Sequence, residues 1–278
     1  MSLITSSITA VDSHAHVFVR GLPLASLRRH APEHDATLEE YLALLDTHAI
    51  SHAVLVQPSF LGTDNSFMLE AIREQPQRLR GVAVIDAETH DDRLHALAAV
   101  GIVGIRFNLI GLPIPDYSKG AWPRLFECVR ELDWHVEVHC ALRDLAPVGQ
   151  AVLDAGCKLV VDHFGRPDAT GAEGLDWLLS SAGGKRTWVK LSAGYRNWPD
   201  AQGPSAVDAA QMLLHSFGAS RLVWGSDWPH TQHRHVASYT ATLEALAKWV
   251  PDVAARRRIL IDTPARLFHF STGDTHDQ

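Results

Sequence analysis

Eight short apolar runs recur along the chain, and a longer stretch compatible with a helix follows each of them. The runs are ITAVDSHAHV (8–17), HAVLVQPS (52–59), LRGVAVID (79–86), IVGIRFNL (102–109), HVEVHC (135–140), KLVVDHF (158–164), TWVKLSA (187–193) and RLVWGSDW (221–228). Each is too short for a helix and rich in Val, Leu or Ile, as strands buried on both faces are. Between them, Leu38, Tyr41, Leu42 and Leu45 keep helical spacing. So do Trp122, Leu125, Phe126 and Val129, and later Ala206, Ala209, Ala210, Leu213 and Phe217. Gly101, Gly156 and Gly218 stand where helices should stop before the next strand. Eight strand–helix units predict a closed parallel barrel, the (β/α)8 or TIM barrel. An open doubly wound sheet would normally show a Gly-rich phosphate loop after its first strand, and SHAHVF is no such loop.

At 278 residues, of which 46% are hydrophobic, the chain is long enough for one such barrel. No domain boundary shows, so residues 1–278 are read as a single domain with a polar tail, 271–278, expected to fray. The net charge is -7 and no basic run occurs, which argues against nucleic acid. No segment reaches the roughly 20 apolar residues that cross a bilayer, and the N-terminus does not read as a signal peptide. The three cysteines, Cys128, Cys140 and Cys157, each sit in an apolar segment. They read as buried thiols of a reducing compartment, and the expected location is the cytoplasm.

In a barrel of this kind, chemistry sits at the C-terminal ends of the strands. Those ends carry a concentrated set of ligating and titratable groups. The first run ends in Asp12-Ser13-His14-Ala15-His16, whose two histidines share a strand face about 6.6 Å apart at Cα. The fifth run ends in His139, the sixth in His163 and the eighth in Gly225-Ser226-Asp227-Trp228-Pro229-His230. A lone histidine at a strand end is usually a satisfied hydrogen-bonding residue. Four such ends gathered in one mouth point instead to an active site.

DSHAH, the single histidines of runs five and six, and GSDWPH resemble the amidohydrolase superfamily. QPSFLGTDN (57–65), GIRFNL (104–109), VDHFGRPD (161–168) and VKLSAGYR (189–196) extend the resemblance to its amidohydrolase-related branch. That branch holds hydrolases of 2-pyrone-4,6-dicarboxylate, sugar lactones and muconolactones. The resemblance implies that His14, His16, His139 and Asp227 could hold one divalent ion, Zn or Mn, while His163 polarises substrate or moves protons. Members of the pyrone type work without a metal and carry Tyr where His139 stands. The expectation is therefore zero or one ion. Binuclear members carry a bridging carboxylated Lys or a Glu at strand four. Here Arg106, Phe107 and Asn108 occupy that end, which argues against a second metal.

Arg106, Arg166 and Arg196 lie near strand ends, with Ser59 and Asn65 after run two. Arginine pairs with carboxylates through two parallel hydrogen bonds, so the expected substrate is a small anion, a carboxylate-bearing lactone or its ring-opened acid. Asp227 is the expected general base, and His14, His16, His139 and His163 the expected donors to the developing oxyanion. Tyr41 and Tyr117 are assigned structural roles. Cys140 and Ser226 should face away from the site by strand alternation, and no GxSxG elbow occurs. Two other functions compete: a metal-dependent nonoxidative decarboxylase of the same branch, and a non-catalytic small-molecule binding protein.

Overall fold

The computed structural model describes residues 7–167 and 174–271. The end of the tail, 272–278, lies outside the described residues. All eight predicted runs are strands: β1 (Val11–Ala15), β2 (His52–Val56), β3 (Leu79–Ala83), β4 (Ile102–Asn108), β5 (His135–His139), β6 (Lys158–Val161), β7 (Thr187–Ser192) and β8 (Leu222–Gly225). They pair in parallel in sequence order. A parallel bridge between Ala15 and Trp228 joins the last strand to the first, so the sheet closes into a (β/α)8 barrel. The seam carries two backbone bonds of 2.8 Å, His16 N to Trp228 O and Asp227 N to His14 O.

The helices α1 (Leu38–Thr47), α2 (Ser66–Glu74), α3 (Asp91–Val100), α4 (Trp122–Glu131), α5 (Leu145–Asp154), α6 (Leu175–Ser180), α7 (Pro204–Phe217) and α8 (Tyr239–Trp249) alternate with the strands. Two short helices follow, α9 (Val253–Arg257) and α10 (Thr263–Leu267). Their apolar faces are those the periodicity predicts: Tyr41 and Leu45 of α1, Leu125, Phe126 and Val129 of α4, and Ala206, Ala210, Leu213 and Phe217 of α7 are buried. Thr37 and Glu40 cap α1 reciprocally, each side chain bonding the other's backbone N–H. Gly101 ends α3 at φ 114, a conformation costly for any residue with a Cβ.

Two separate cores form. One is the layer between barrel and helices. The other fills the lower barrel with Val11, Val54, Val56, Val82, Val160 and Val223, and Phe268 and Phe270, just beyond α10, pack against it. An apolar plug at the bottom leaves the upper barrel for polar groups.

The β1–β8 seam explains how the strand ends are aimed. The β1–β2 register shifts between Asp12 and Ala15. Simple alternation would put Asp12 on the face of His14. The bulge instead directs Asp12 towards α1 and α8, while His14 points into the barrel. Asp12 is fully buried and accepts from Ser226 N (2.9 Å), Ser226 Oγ (2.6 Å), Tyr41 Oη (2.9 Å) and Tyr239 Oη (3.1 Å). It thereby ties both strands of the seam to both flanking helices. At Gly225 any Cβ would lie 2.5 Å from His14 Cβ, so the close approach of the two strands requires glycine.

Candidate active site

Four non-glycine residues in left-handed backbone geometry line the barrel mouth: His163 (φ 51), Arg166 (φ 55), Asp227 (φ 57) and Gln232 (φ 70). Such conformations are costly and cluster where a fold re-aims functional side chains. Here they let consecutive residues do different work. Asp162 and His163 both face the interior, and Asp227 enters the mouth while Ser226 turns outward to Asp12.

The mouth is a narrow polar cleft open to solvent. His16, His139, His163 and Asp227 line it, with Ser59, Phe60, Arg106, Arg166 and Arg196. Arg29, His30 and Asn108 also reach it and were not among the residues singled out from the sequence. Arg29 comes from the long loop before α1, where nothing local marks a residue that folds back over the barrel. Two expectations need correction. Asn65 does not line the cleft. It is buried and fastens its loop, donating to Thr63 O and Val84 O and accepting from Val84 N. His14 is fully buried and lies beneath the cleft floor, its ring 5.0 Å from that of His16 and 4.7 Å from that of His163. Tyr41 and Tyr117 are structural, Tyr41 through Asp12 and Tyr117 in a ring cluster with Phe107 and Trp122.

Asp227 has two differently placed oxygens. Oδ2 accepts from Tyr195 Oη (2.6 Å) and Arg196 Nε (2.7 Å). Oδ1 faces His16 Nε2 at 3.5 Å and His14 Nε2 at 3.8 Å. Burial alone would raise this carboxyl. The Arg196 guanidinium outweighs it and holds the group well below the usual carboxylate range. Burial, reinforced by Arg106 at His139, pushes His139 and His163 well below an ordinary histidine, so both are neutral imidazoles. His163 Nδ1 lies 2.8 Å from Ser192 Oγ, and His139 Nδ1 lies 3.3 Å from Arg106 Nη2. Guanidinium nitrogen can only donate, so His139 Nδ1 accepts and its Nε2 carries the hydrogen. That Nε2 is buried without a partner.

Below this layer lies a charge network that strand-end reasoning passed over. Lys190 Nζ is 2.5 Å from Glu137 Oε2 and 3.5 Å from Asp162 Oδ1. Arg106 bonds Asp162 Oδ2 through Nε (3.1 Å) and Nη2 (2.8 Å), and its Nε is 3.2 Å from Glu137 Oε1. All four side chains are buried, two cations against two carboxylates, which is the balance that burial demands. Burial and the Asp162 carboxylate push Glu137 up to about 7, against the pull of Lys190 and Arg106. The signal was present in the sequence as charged residues inside otherwise apolar strands. Glu137 stands two residues before His139 on the same face, and Lys190 lies in mid-β7.

The metal expectation can be tested on these contacts. His14, His16 and Asp227 bring ligand atoms within 4.8 Å of one another, and so do His14, Asp162 and His163. His139 joins neither group. His16 is oriented as a ligand would be, since its Nδ1 donates to Val56 O (2.7 Å) and its Nε2 faces Asp227. His139 does not fit, since its Nε2 carries the hydrogen, and the contacts of His14 admit either tautomer. Lys190 Nζ lies 2.9 Å from His14 Nδ1, and an ammonium has only hydrogens to offer. The same nitrogen faces Asp162 Oδ1 at 3.4 Å and Glu137 Oε1 at 3.5 Å, acceptors for an Nδ1–H, and in that tautomer Nε2 keeps the lone pair an ion needs. Arg196 already neutralises Asp227. The groups converge, while the Arg196 pairing of Asp227 and the Nε2–H of His139 weigh against an ion.

The amidohydrolase family profile matches residues 11–270. The 4-sulfomuconolactone hydrolase of Rhizobium radiobacter is 32% identical over 93% of this chain and 89% of its own length. The 2-pyrone-4,6-dicarboxylate hydrolase of Comamonas testosteroni is 28% identical over 93% and 90%. Among solved structures, a protein from Acinetobacter baumannii assigned as a 2-pyrone-4,6-dicarboxylic acid hydrolase, with citric acid bound, superposes with a TM-score of 0.88 at 38% identity, covering 94% of this chain and 99% of that one.

Proposed function

The chain belongs to the amidohydrolase family, and from that premise we propose that it is a hydrolase that opens carboxylate-bearing lactones without a bound metal. The observation that carries this reading is the composition of the cleft: Arg29, Arg106, Arg166 and Arg196 surround one carboxylate, Asp227, whose Oδ1 is open. Relatives named for muconolactone and pyrone dicarboxylate hydrolysis agree with it. We read residues 1–278 as one domain working in the cytoplasm. No helix among the described residues is long and apolar enough to cross a membrane, and all three cysteines are buried and free.

The chemistry follows from the protonation states. Asp227 Oδ1 lies 3.5 Å from His16 Nε2 and is open to the cleft, so a water can donate one hydrogen to it. Its oxygen attacks the lactone carbonyl, one proton passes to Asp227, and the acyl–oxygen bond breaks. Asp227 returns the proton to the ring oxygen as it leaves. The Nε2–H of His139, together with His163, donates to the oxyanion that forms at the carbonyl. The arginines hold the substrate's carboxylates and orient the ring. Because Asp227 is kept strongly acidic, it is ionised and ready to accept at any working pH, while the oxyanion donors make up for its modest basicity.

The test is a lactone screen with and without a chelator. Carboxylated lactones should be hydrolysed at the same rate in both. Asp227→Asn should keep the fold and lower kcat by at least about 100-fold, the low end for loss of a general base. Near-normal turnover in the folded variant would remove Asp227 from that role, and carbon dioxide release in place of ring opening would identify a decarboxylase.

A further inference from the structure

A second concavity adjoins the cleft and differs from it in character. The cleft encloses only about 60 Å³ and is lined mainly by arginine, histidine and Asp227. That is far below the roughly 300–1,000 Å³ of sites that enclose a small molecule, so the cleft holds the reacting end of a substrate and leaves the rest outside. A groove of about 340 Å³ begins where the cleft ends, and the two share Arg29, Ser59 and Asn108. The groove is built from Leu27 of the loop before α1, Val84 after β3, and Ile110, Gly111 and Leu112 after β4. Its charged residues are Arg28 and the shared Arg29. Arg28 donates to Ala25 O (2.7 Å), and Arg29 donates to Asn108 Oδ1 (3.3 Å) across the junction. Leu27 is 74% exposed and Leu112 40%. Leucines exposed singly are ordinary. Two from separate loops, lining one groove that opens into a charged cleft, mark a ligand surface.

We propose that the groove is a specificity subsite for an apolar substituent, an alkyl chain, on a substrate whose carboxylate is held by the cleft arginines. The proposal deepens the lactone-hydrolase reading and rests on it for the reaction, but not for binding. The two linings set the direction. A carboxylate is drawn to the cleft, where Arg166 Nε is buried without a partner and can form a charge-assisted hydrogen bond. An alkyl chain has no partner there and would cover guanidinium groups that need water or an anion. In the groove the same chain takes the surface of Leu27, Ile110 and Leu112 out of water, a gain that grows with its length. Because Arg29, Ser59 and Asn108 line both concavities, one molecule can fill both at once. The groove includes none of His16, His139, His163 and Asp227. Its contacts are therefore the same in the ground state and the transition state, so a longer chain lowers KM and leaves kcat nearly unchanged.

The binding arm of the test uses n-alkyl carboxylates, which do not react: acetate, butyrate, hexanoate and octanoate, titrated by calorimetry. Kd should fall about two- to fourfold for each added methylene, the upper figure corresponding to full burial at about 0.8 kcal/mol. The matching primary alcohols should bind far more weakly. Leu27→Ser/Leu112→Ser exchanges two exposed loop side chains and keeps the fold. It should flatten the dependence on chain length and leave the Kd of acetate unchanged. The kinetic arm uses 2-pyrone-6-carboxylates with hydrogen, methyl, propyl or pentyl at the ring position para to the lactone oxygen. KM should fall along the series with kcat nearly constant, and the double variant should lose that trend alone. Kd and KM independent of chain length in the wild type would overturn the proposal. So would a trend that the double variant keeps. Sedimentation showing a dimer that the double variant dissociates would overturn it too, by making the groove a contact between copies of this chain. A chain-length trend in binding with no pyrone hydrolysed would count against the lactone reading and leave the subsite intact.

Discussion

Arg166 is the residue best prepared for a substrate carboxylate. Its Nη1 is committed to Arg196 O (2.7 Å) and Asn197 Oδ1 (2.8 Å), which fixes the guanidinium. Its Nε is buried with no partner. Burial, with Arg196 nearby, lowers the group from its ordinary value, so an incoming anion relieves an unfavourable charge. Arg166→Met should cost about 1.5–3 kcal/mol for a charge-assisted hydrogen bond, roughly 10- to 150-fold in kcat/KM. The loss should fall on carboxylated lactones and spare neutral ones. Equal losses on both would make Arg166 a scaffold residue. Arg196 acts differently, through Asp227. Because Asp227 sits below its unfolded value, its ionisation stabilises the fold above the ordinary carboxylate range, and that contribution is lost as pH falls through the folded value. Arg196→Met removes the main charge holding it down. The acid limb of kcat should then move to higher pH, and acid unfolding should begin at higher pH as well. A limb that stays in place in the pH–rate profile would mean that another group sets it.

At the scale of elements, the β1–β8 seam governs the site more than any helix does. Asp12, on the outward side of the β1 bulge, gathers hydrogens from Ser226, Tyr41 and Tyr239, and Trp228 N in turn donates to Ser226 Oγ (3.0 Å). The turn that carries Asp227 is therefore anchored from behind. Asp12→Ala would strand two tyrosine hydroxyls and a serine in a buried site. The cost should be at least about 3 kcal/mol, given 1.5–3 kcal/mol for each hydrogen bond to a charged group. Urea denaturation measures it, and a loss under about 1 kcal/mol would show that the seam holds without this carboxylate. The adjacent β5 and β6 illustrate another element-level effect. Their inward positions carry Glu137 and Asp162 side by side, tolerable only because β4 and β7 bring Arg106 and Lys190 between them.

The whole molecule separates stability from chemistry along the barrel axis. The bottom is apolar and closed by Phe268, which is fully buried and meets the ring of His135 at 5.4 Å. Above it stands the buried charge layer, and above that the cationic cleft. Phe268→Ala should destabilise by about 3–5 kcal/mol, the usual cost of emptying a buried aromatic site, with kcat of the folded fraction nearly unchanged. A large fall in kcat at full folding would show that the plug also sets the geometry of the mouth. The chain is acidic, net charge -7, yet Arg29, Arg106, Arg166 and Arg196 give the cleft a positive lining, which favours the entry of anions.

Local pattern in the sequence was enough for the eight strands, the helix faces, the closed barrel and the gathering of His16, His139, His163 and Asp227 at one mouth. Each depends on short-range periodicity or on the rule that parallel barrels collect strand ends on one side. It was enough as well for Arg106, Arg166, Arg196 and Ser59 in the cleft, and for the outward turn of Ser226. The rest depended on contacts between distant segments. Asn65 reads in sequence as a substrate contact and in the structure fastens its loop, because its amide finds Val84 from the next strand–helix unit. Arg29 reaches the cleft from a loop without periodicity. The bulge in β1 reverses Asp12 against simple alternation. Above all, the buried contact between His14 and Lys190 joins residues 176 apart, and no spacing rule connects the two. Sequence pattern fixes which faces are buried, because that follows from local geometry. Tertiary structure decides protonation and tautomer, because those depend on which charges the folded barrel brings within about 3 Å.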